Sequence, residues 1–382
     1  MSRTSRRLQG LVQSDIRRMT RECERVGGIN LGQGICDLPT PLPVRDGAIA
    51  AILERRSTYS FMEGVPALRQ AIAGKLEREN ALRADPEREI VVTVGASGAY
   101  TAALHALFDP GDGILVFEPF YGYHVNTALV AGLEPQYLRL EAPDFALSEA
   151  ALRASLRPNT RAIVVCSPAN PGGKMFTRAE LELIARVAVE RDLVVITDEI
   201  YESITYDGRE HISAATIPGL RERSVTIMGL SKTFSITGWR LGYAVAREDW
   251  ARAIALVNDL YYICAPTPLQ HGVAAGFALP QSFYTELRDS YARKREWTCQ
   301  ALTRAGLAPV WPQGAYYVLA DVSRRGFSDA RSAAMDLLEK VGVATVPGTA
   351  FFTGNAGERW IRVCFAKEED ALQEACRRIE RW

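Results

Sequence analysis

The sequence predicts an α/β fold: a large unit whose mostly parallel seven-stranded sheet lies between helices, and a smaller α/β unit after it. Two observations predict this. Short β-branched runs alternate with helix-like segments from about residue 88 to 246, and one long amphipathic stretch from about 281 to 305 then separates this alternation from a second, shorter one. Such alternation is what helices packed on both faces of a parallel sheet produce.

The first 45 or so residues precede the alternation and are expected to form an N-terminal arm and part of the small unit (1–45). The opening "MSRTSRRLQGLVQSDIRRM" is basic and lacks the apolar stretch and small-residue cleavage site of a secretory leader, so a solvated arm is expected and secretion is not. The strand runs follow in order: "EIVVTVG", "GILVFEP", "PQYLRL", "RAIVVCSP", "LVVITDE", "SVTIMGL" and "LGYAVA". Their near-continuous apolarity suits strands covered on both faces. Residues 177–191, "TRAELELIARVAVER", show the helical counterpart. Thr177 stands at an N-cap with Glu180 three residues on, and apolar positions recur at three and four. The stretch 281–305, "QSFYTELRDSYARKREWTCQALTRA", reads as one long amphipathic helix and places a domain boundary near 280. The large domain is therefore expected over 46–280 and the small one over 281–382.

Length and composition narrow the function. A chain of 382 residues can bury a large core and a second, smaller one. Forty-five Lys and Arg balance forty-five Asp and Glu, so nothing favours nucleic acid or an anionic membrane as partner, and a small molecule is expected instead. Apolar residues make up 47%, yet no run approaches the roughly 20 residues of a membrane-spanning helix. Seven scattered cysteines without C-x-x-C spacing point to reduced thiols in a cytosol. Four histidines, none in a ligand-spaced pair, point away from a metal.

In open parallel sheets ligands bind beyond the carboxyl ends of the strands, so those ends belong together. After "IVVTV" comes Gly95-Ala96-Ser97-Gly98, where small residues at a helix start let backbone N–H groups meet a phosphate. The same residues read equally as a tight turn with Ser97 as N-cap. After "LVVIT" comes Asp198-Glu199-Ile200-Tyr201. A carboxylate at a buried strand end needs a cation nearby, although a helix-capping Asp198 explains this segment alone as well. After "AIVVCS", the turn Pro168-Ala169-Asn170-Pro171-Gly172-Gly173 presents Asn170 as a hydrogen-bond donor, or is simply a turn. After "SVTIMGL" comes "SKTFSITGWR", with Lys232 between two hydroxyl residues and Arg240 eight positions later. Alone, Lys232 reads as solvated, Arg240 as a surface ion pair, and Arg362 in "WIRVCFA" as facing solvent from an edge strand.

Together they ask for one chemistry: a lysine that can be neutral, a buried carboxylate, a phosphate cradle and a donor to a ring oxygen. Pyridoxal 5'-phosphate accounts for all four. Its aldehyde forms a Schiff base with a lysine whose pKa is lowered by cationic surroundings, and a ring nitrogen paired with Asp makes the ring an electron sink.

The ordered set "YSFMEG", "VTVGASGA", "SPANPGG", "TDEIY", "SKTFSITGWRLGY" and "IRVCFA" resembles the class I/II aminotransferases of pyridoxal-phosphate fold type I, over nearly the whole chain. The resemblance implies a role for each matching position. Lys232 would carry the Schiff base and then move a proton between the substrate Cα and the cofactor. Asp198 would hold the ring nitrogen, and Asn170 and Tyr201 the ring oxygen. Ala96, Ser97, Ser231 and Arg240 would bind phosphate, Tyr121 would stack on the ring, and Tyr59 would reach the phosphate of the neighbouring subunit's cofactor. Arg362, with the backbone of Gly34, would clamp the substrate α-carboxylate. A ping-pong aminotransferase is implied, a homodimer with shared active sites and no nucleic-acid, membrane or metal partner.

Two departures stand out: Gly172 replaces the family's usual Thr after Asn-Pro, and Gly229 replaces a frequent hydroxyl three before the lysine. The stretches "NLGQG", "EPF" and "APTPLQ" resemble the kynurenine and glutamine branch, which leans towards aromatic or neutral donors; a dicarboxylate specialist would need a second cation, from Arg17 or another arginine. Two rivals share the scaffold, a β-eliminating C–S lyase and a cofactor-binding transcriptional regulator. The regulator needs a winged-helix domain of about 70 residues ahead of motifs that here begin near residue 30. A nicotinamide dehydrogenase fails on the missing G-x-G-x-x-G fingerprint.

Overall fold

The computed structural model describes residues 5–8, 11 and 15–382. The basic arm expected at the chain start falls largely on residues 1–4, 9–10 and 12–14, outside the described residues. All seven strand runs form strands: β1 (Ile90–Val94), β2 (Gly113–Glu118), β3 (Glu134–Arg139), β4 (Thr160–Cys166), β5 (Val194–Asp198), β6 (Ser224–Gly229) and β7 (Leu241–Val245). They make one sheet in the order β1-β7-β6-β5-β4-β2-β3, with β7 antiparallel to both neighbours and the other six sharing one direction.

The apolar runs are continuous because both sheet faces are buried. On β2, Ile114 and Val116 enter one core with Ala162, Val164 and Ile196, while Leu115 and Phe117 enter another with Ile163, Val165 and Val195. Each large apolar side chain of this kind contributes about 1.5–3 kcal/mol on burial. Gln136 and Thr197, polar residues buried in the same sheet, are hydrogen-bonded, to Thr160 and Glu199 respectively. The helix Arg178–Glu190 covers the second face through Leu181, Ile184 and Ala188. Its capping box forms as expected: the Glu180 N–H donates to Thr177 Oγ1 at 3.2 Å, and the Thr177 N–H to Glu180 Oε2 at 2.8 Å.

The long helix spans Gln281–Arg304 and buries Leu287, Tyr291, Thr298 and Leu302 at near-helical spacing. After it, β8 (Ala308–Val310), β9 (Tyr317–Asp321), β10 (Val346–Pro347) and β11 (Trp360–Cys364) form an antiparallel sheet in the order β10-β11-β9-β8. The N-terminal segment joins this part of the molecule. Ile29–Asn30 pairs in parallel with Val343–Ala344, and helix α1 (Asp15–Val26) buries Met19 and Cys23 in the same core as Val343 and Ile361. Among the described residues no helix is long and apolar enough to cross a membrane.

Candidate active site

The carboxyl ends of β1, β2, β4, β5 and β6 converge with the small sheet on a cavity of about 490 Å³. Lys232, Asp198, Asn170, Tyr201, Tyr121, Ala96, Ser97, Ser231, Arg240, Gly34 and Arg362 all line it. Tyr59 alone of the expected residues stands elsewhere, 76% exposed on the loop after helix Leu42–Leu53.

Strand alternation separates Asp198 from Glu199. Asp198 faces the cavity, where its Oδ2 lies 2.9 Å from His124 Nε2 and its Oδ1 accepts from the Ile200 N–H at 3.3 Å. Glu199 turns into the protein, 2.8 Å from His211 Nε2, and accepts from Ser213 Oγ and the Ala214 N–H. Asp198 is thus no helix cap. It is a buried carboxylate directed at a cavity, held by a histidine.

At the end of β1 the chain turns through Gly95 (φ +70°) directly into helix Gly95–Leu107, with no side chain capping its first N–H groups. Ser97 is therefore inside the first turn and not the N-cap. Its Oγ accepts from Arg240 Nη2 at 3.1 Å, while Arg240 Nη1 donates to the Thr237 carbonyl at 2.9 Å. The positive φ at Gly95 favours glycine, and a Cβ there would also crowd this guanidinium. An open helix N-terminus, Ser97, buried Ser231 and an arginine fork make an anion cradle.

Lys232 Nζ donates to the Gly34 carbonyl at 3.0 Å and lies 5.6 Å from the Tyr316 ring centroid. Its pKa is held down to about 8, chiefly by desolvation, with Arg240 and Arg362 as smaller causes. The expectation from sequence assigned this shift to cationic surroundings. Burial dominates because the side chain is packed at the inner end of the cavity, where little water reaches the ammonium.

Arg362 does not face solvent. It lies on β11, flanked by β9 and β10, and is 1% exposed. Its Nη1 donates to Asn170 Oδ1 at 2.8 Å and its Nη2 to the Gly32 carbonyl at 2.6 Å; its carbon centre sits 4.3 Å over the Tyr317 ring and 4.7 Å over Phe351. Because Asn170 gives its oxygen to Arg362, its Nδ2 is left to donate into the cavity. Tyr201 and Tyr317 hydroxyls lie 3.1 Å apart, and burial raises both pKa values, that of Tyr317 to about 12, so both remain neutral donors.

Sequence reasoning missed His124, Tyr316, Tyr317 and Ile200. His124 follows Tyr121 by three positions at the start of helix Gly122–Ala131, and their rings meet edge to face at 5.3 Å, so i,i+3 spacing was a usable signal. Ile200 explains one departure from the family pattern: a Cβ at Gly229 would run into the Ile200 side chain, which itself lines the cavity. For Tyr316 and Tyr317, at the start of β9, nothing in the local sequence separates a site residue from core packing.

The donor set fits pyridoxal 5'-phosphate: an amine held near neutrality, a buried carboxylate for a ring nitrogen, amide and phenol donors, an anion cradle and a buried guanidinium. Among the described residues no cluster of metal-ligating side chains occurs. Comparison with known proteins agrees. A family model described as aminotransferase class I and II matches residues 26–379. The chain is 36% identical to an aspartate aminotransferase of Pyrococcus abyssi over 357 residues, 92% of this chain and 91% of that one. It is 31% identical to the human kynurenine–oxoglutarate transaminase 1, over 93% of this chain and 92% of that one. The solved structure of an N-succinyldiaminopimelate aminotransferase from Mycobacterium tuberculosis superposes with a TM-score of 0.95 at 34% identity, covering 99% of each chain.

Proposed function

We propose specific roles for these residues from the premise that this chain belongs to the class I and II aminotransferases. It is a pyridoxal-phosphate-dependent transaminase, moving an amino group between an amino acid and a 2-oxo acid. Bound, the cofactor supplies an aldehyde and an electron-accepting ring. Lys232 would hold that aldehyde, and its Nζ would move the proton at the substrate Cα, a task for which a pKa near 8 is well matched. Asp198, oriented by His124, would pair with the ring nitrogen, and Asn170 Nδ2 and the Tyr201 hydroxyl would donate to the ring oxygen. Ser97, Ser231, Arg240 and the Ala96 backbone would hold the phosphate, and Tyr121 would lie against the ring.

One observation carries this reading: Arg362 is buried, and among the described residues no carboxylate pairs with it. Taking a guanidinium out of water costs several kcal/mol. Two neutral acceptors and two aromatic faces, worth about 0.5–2 kcal/mol each as cation–π contacts, offset only part of it. A substrate α-carboxylate completes the site, with Gly34 backbone assisting. The cycle is ping-pong, since donor and acceptor use this one clamp in turn.

We further propose a homodimer in which Tyr59 reaches the partner's cofactor phosphate. Ile52, Leu53, Tyr59, Phe61, Leu260 and Ile263 are exposed. Their segments are tied together where Gln270 Nε2 donates to Ser60 Oγ and Asn258 Nδ2 to the Met62 carbonyl. An apolar surface of this kind marks an interface. Ile263, β-branched at φ +63°, holds strain of about 1–3 kcal/mol that contacts across such an interface can offset. The domain division at 45 and 280, and a cytosolic setting suited to seven free thiols, belong to the same proposal. Aromatic or neutral donors are favoured by Tyr121 and Tyr123, which stack at 5.2 Å and both line the cavity.

The test is reconstitution with pyridoxal 5'-phosphate, borohydride fixation and peptide mapping, followed by a donor panel against one oxo acid. Label on the Lys232 peptide and turnover with phenylalanine or methionine support the reading. Label elsewhere, or pyruvate and ammonia released without any oxo acid, overturns it.

A further inference from the structure

Behind the segment that carries Asp198 and Tyr201 lies a second cavity, of about 640 Å³. Its walls are the end of helix Pro66–Asn80, the loop 202–211 and the first half of helix Gln281–Arg304. Among the described residues it shares no lining side chain with the active-site cavity. The segment Asp198–Glu202 is the partition. Asp198, Ile200 and Tyr201 line the active-site side, whereas Glu202 lines the far side, and so does His211, which holds Glu199.

The far wall has hydrogen-bonding capacity that the protein leaves unused. Asn80 is 8% exposed, and its Nδ2 donates to Glu202 Oε2 at 2.7 Å. An ionised carboxylate only accepts, so the amide can stand no other way round, and Asn80 Oδ1 is an acceptor with no donor among the described residues. His211 is in the same position: its Nε2 lies 2.8 Å from Glu199 Oε2, and its Nδ1 has no partner there. Native folds seldom leave such buried atoms unmet. Glu202 is paired with Lys75, and its two oxygens keep lone pairs for a further donor.

The rim is charged in both senses. Arg78 and Glu79 satisfy each other at 2.7 Å, and Asp207 is taken by Arg295. Among the described residues Arg209 and Arg288 form no ion pair, Arg288 Nη2 donating only to Thr285 Oγ1 at 3.4 Å, and neither do Glu210 and Asp289. Unpaired surface charges are ordinary, but these surround a wall with an unmet buried acceptor. Two guanidinium groups disfavour a bare amine and two carboxylates a bare acid, so a ligand with one charge of each sign is favoured. Buried Tyr206 and Tyr284 give it an apolar flank.

We propose that this cavity is a second, non-catalytic binding site for a free α-amino acid, whose ammonium meets Asn80 Oδ1 beside Glu202 and whose carboxylate meets Arg209 and Arg288. An ammonium brings three N–H donors to an orphaned amide oxygen and a carboxylate, and a guanidinium reads a carboxylate through paired N–H bonds. His211 Nδ1 serves either end, accepting or donating according to its charge. No residue given a role in the reaction takes part, yet an occupant bears on the back of the segment that presents Asp198 and Tyr201.

The experiment is equilibrium dialysis of borohydride-fixed holoenzyme, whose active site cannot react, against L-phenylalanine, phenethylamine and 3-phenylpropionate. Wild type is compared with the double variant Arg209→Gln/Arg288→Gln, which alters only the rim, and with Asn80→Leu, whose folding is checked by its melting temperature. The score is ligand bound by wild type in excess of the double variant, so whatever the blocked active site retains cancels. For phenylalanine that excess should approach about one per protomer, with neither single-charge analogue giving it, and a folded Asn80→Leu should lose it too. No excess up to about 10 mM phenylalanine, the same excess with either analogue, or a folded Asn80→Leu that binds like wild type overturns the proposal. Failure of borohydride to fix cofactor on Lys232 would tell against the roles proposed above, a separate result; the same difference measured on unfixed protein still decides this site.

Discussion

His124 Nε2 lies 2.9 Å from Asp198 Oδ2, and both side chains are buried. The histidine fixes the direction of a carboxylate that the sheet alone leaves free to rotate at the end of β5. Asp198→Asn keeps the shape and removes the charge, and should cut turnover at least about a hundredfold, or roughly 2.7 kcal/mol of barrier. His124→Phe leaves Asp198 with one partner fewer and should cost about tenfold. Steady-state kinetics on cofactor-saturated protein checks both, and the assignment fails if His124→Phe is the more damaging.

Lys232 sets the pH response. With its pKa near 8 it is protonated below that value and neutral above it, and only the neutral amine reacts with an aldehyde. Covalent cofactor capture by the apoprotein should rise through about pH 8 and level off by about pH 9.5, whereas an ordinary lysine would still be gaining. Between about 8 and 10.5 the unfolded chain holds a proton that the folded chain has released, so this group makes the apo fold more stable as pH rises there. Stopped-flow absorbance and denaturation across pH measure the two effects.

Arg362→Lys keeps a charge and loses the two-bond fork. Values of kcat/KM for every amino donor should drop by about 10- to 100-fold, while cofactor affinity stays near wild type, because the phosphate cradle is untouched. Cofactor titration alongside the donor panel distinguishes this from general damage.

Gly34→Ala places a methyl against the Tyr317 hydroxyl, which bonds Tyr201. The overpacking should destabilise the protein by about 1–3 kcal/mol and lower activity in parallel. Urea unfolding reads the first, and an unchanged midpoint contradicts the packing described here.

Shared sites predict complementation. Lys232→Ala protomers would lack the reactive amine, and Tyr59→Ala protomers would lack the phosphate contact proposed for their neighbour. In a mixed dimer one site has both groups intact, so equal mixing should restore up to about a quarter of wild-type activity at limiting cofactor. Additive, near-zero activity after refolding the mixture argues for self-contained sites.

The seven strands, the capped helix Arg178–Glu190 and the helix Gln281–Arg304 were legible because their signals are local. Periodicity, a cap three residues from its partner and unbroken apolar runs do not depend on distant neighbours. Lys232, Asp198, Asn170 and Arg240 were legible because strand ends in such a sheet lie on one edge whatever the loops do. Arg362 was not placed by any such rule. Whether "WIRVCFA" is an edge or a central strand depends on β9 and β10 pairing on either side of it.

The order of residues along the chain was thus enough to settle the layer architecture and the cofactor and to single out Lys232. Only the folded chain decided what Lys232 feels, which is burial more than neighbouring charge, and which cations are left unpaired around the cavity. The physical reason is range. Propensity and capping act within a few residues, whereas desolvation and ion pairing depend on groups such as Gly34 and Lys232, 198 positions apart in sequence and 3.0 Å apart in space.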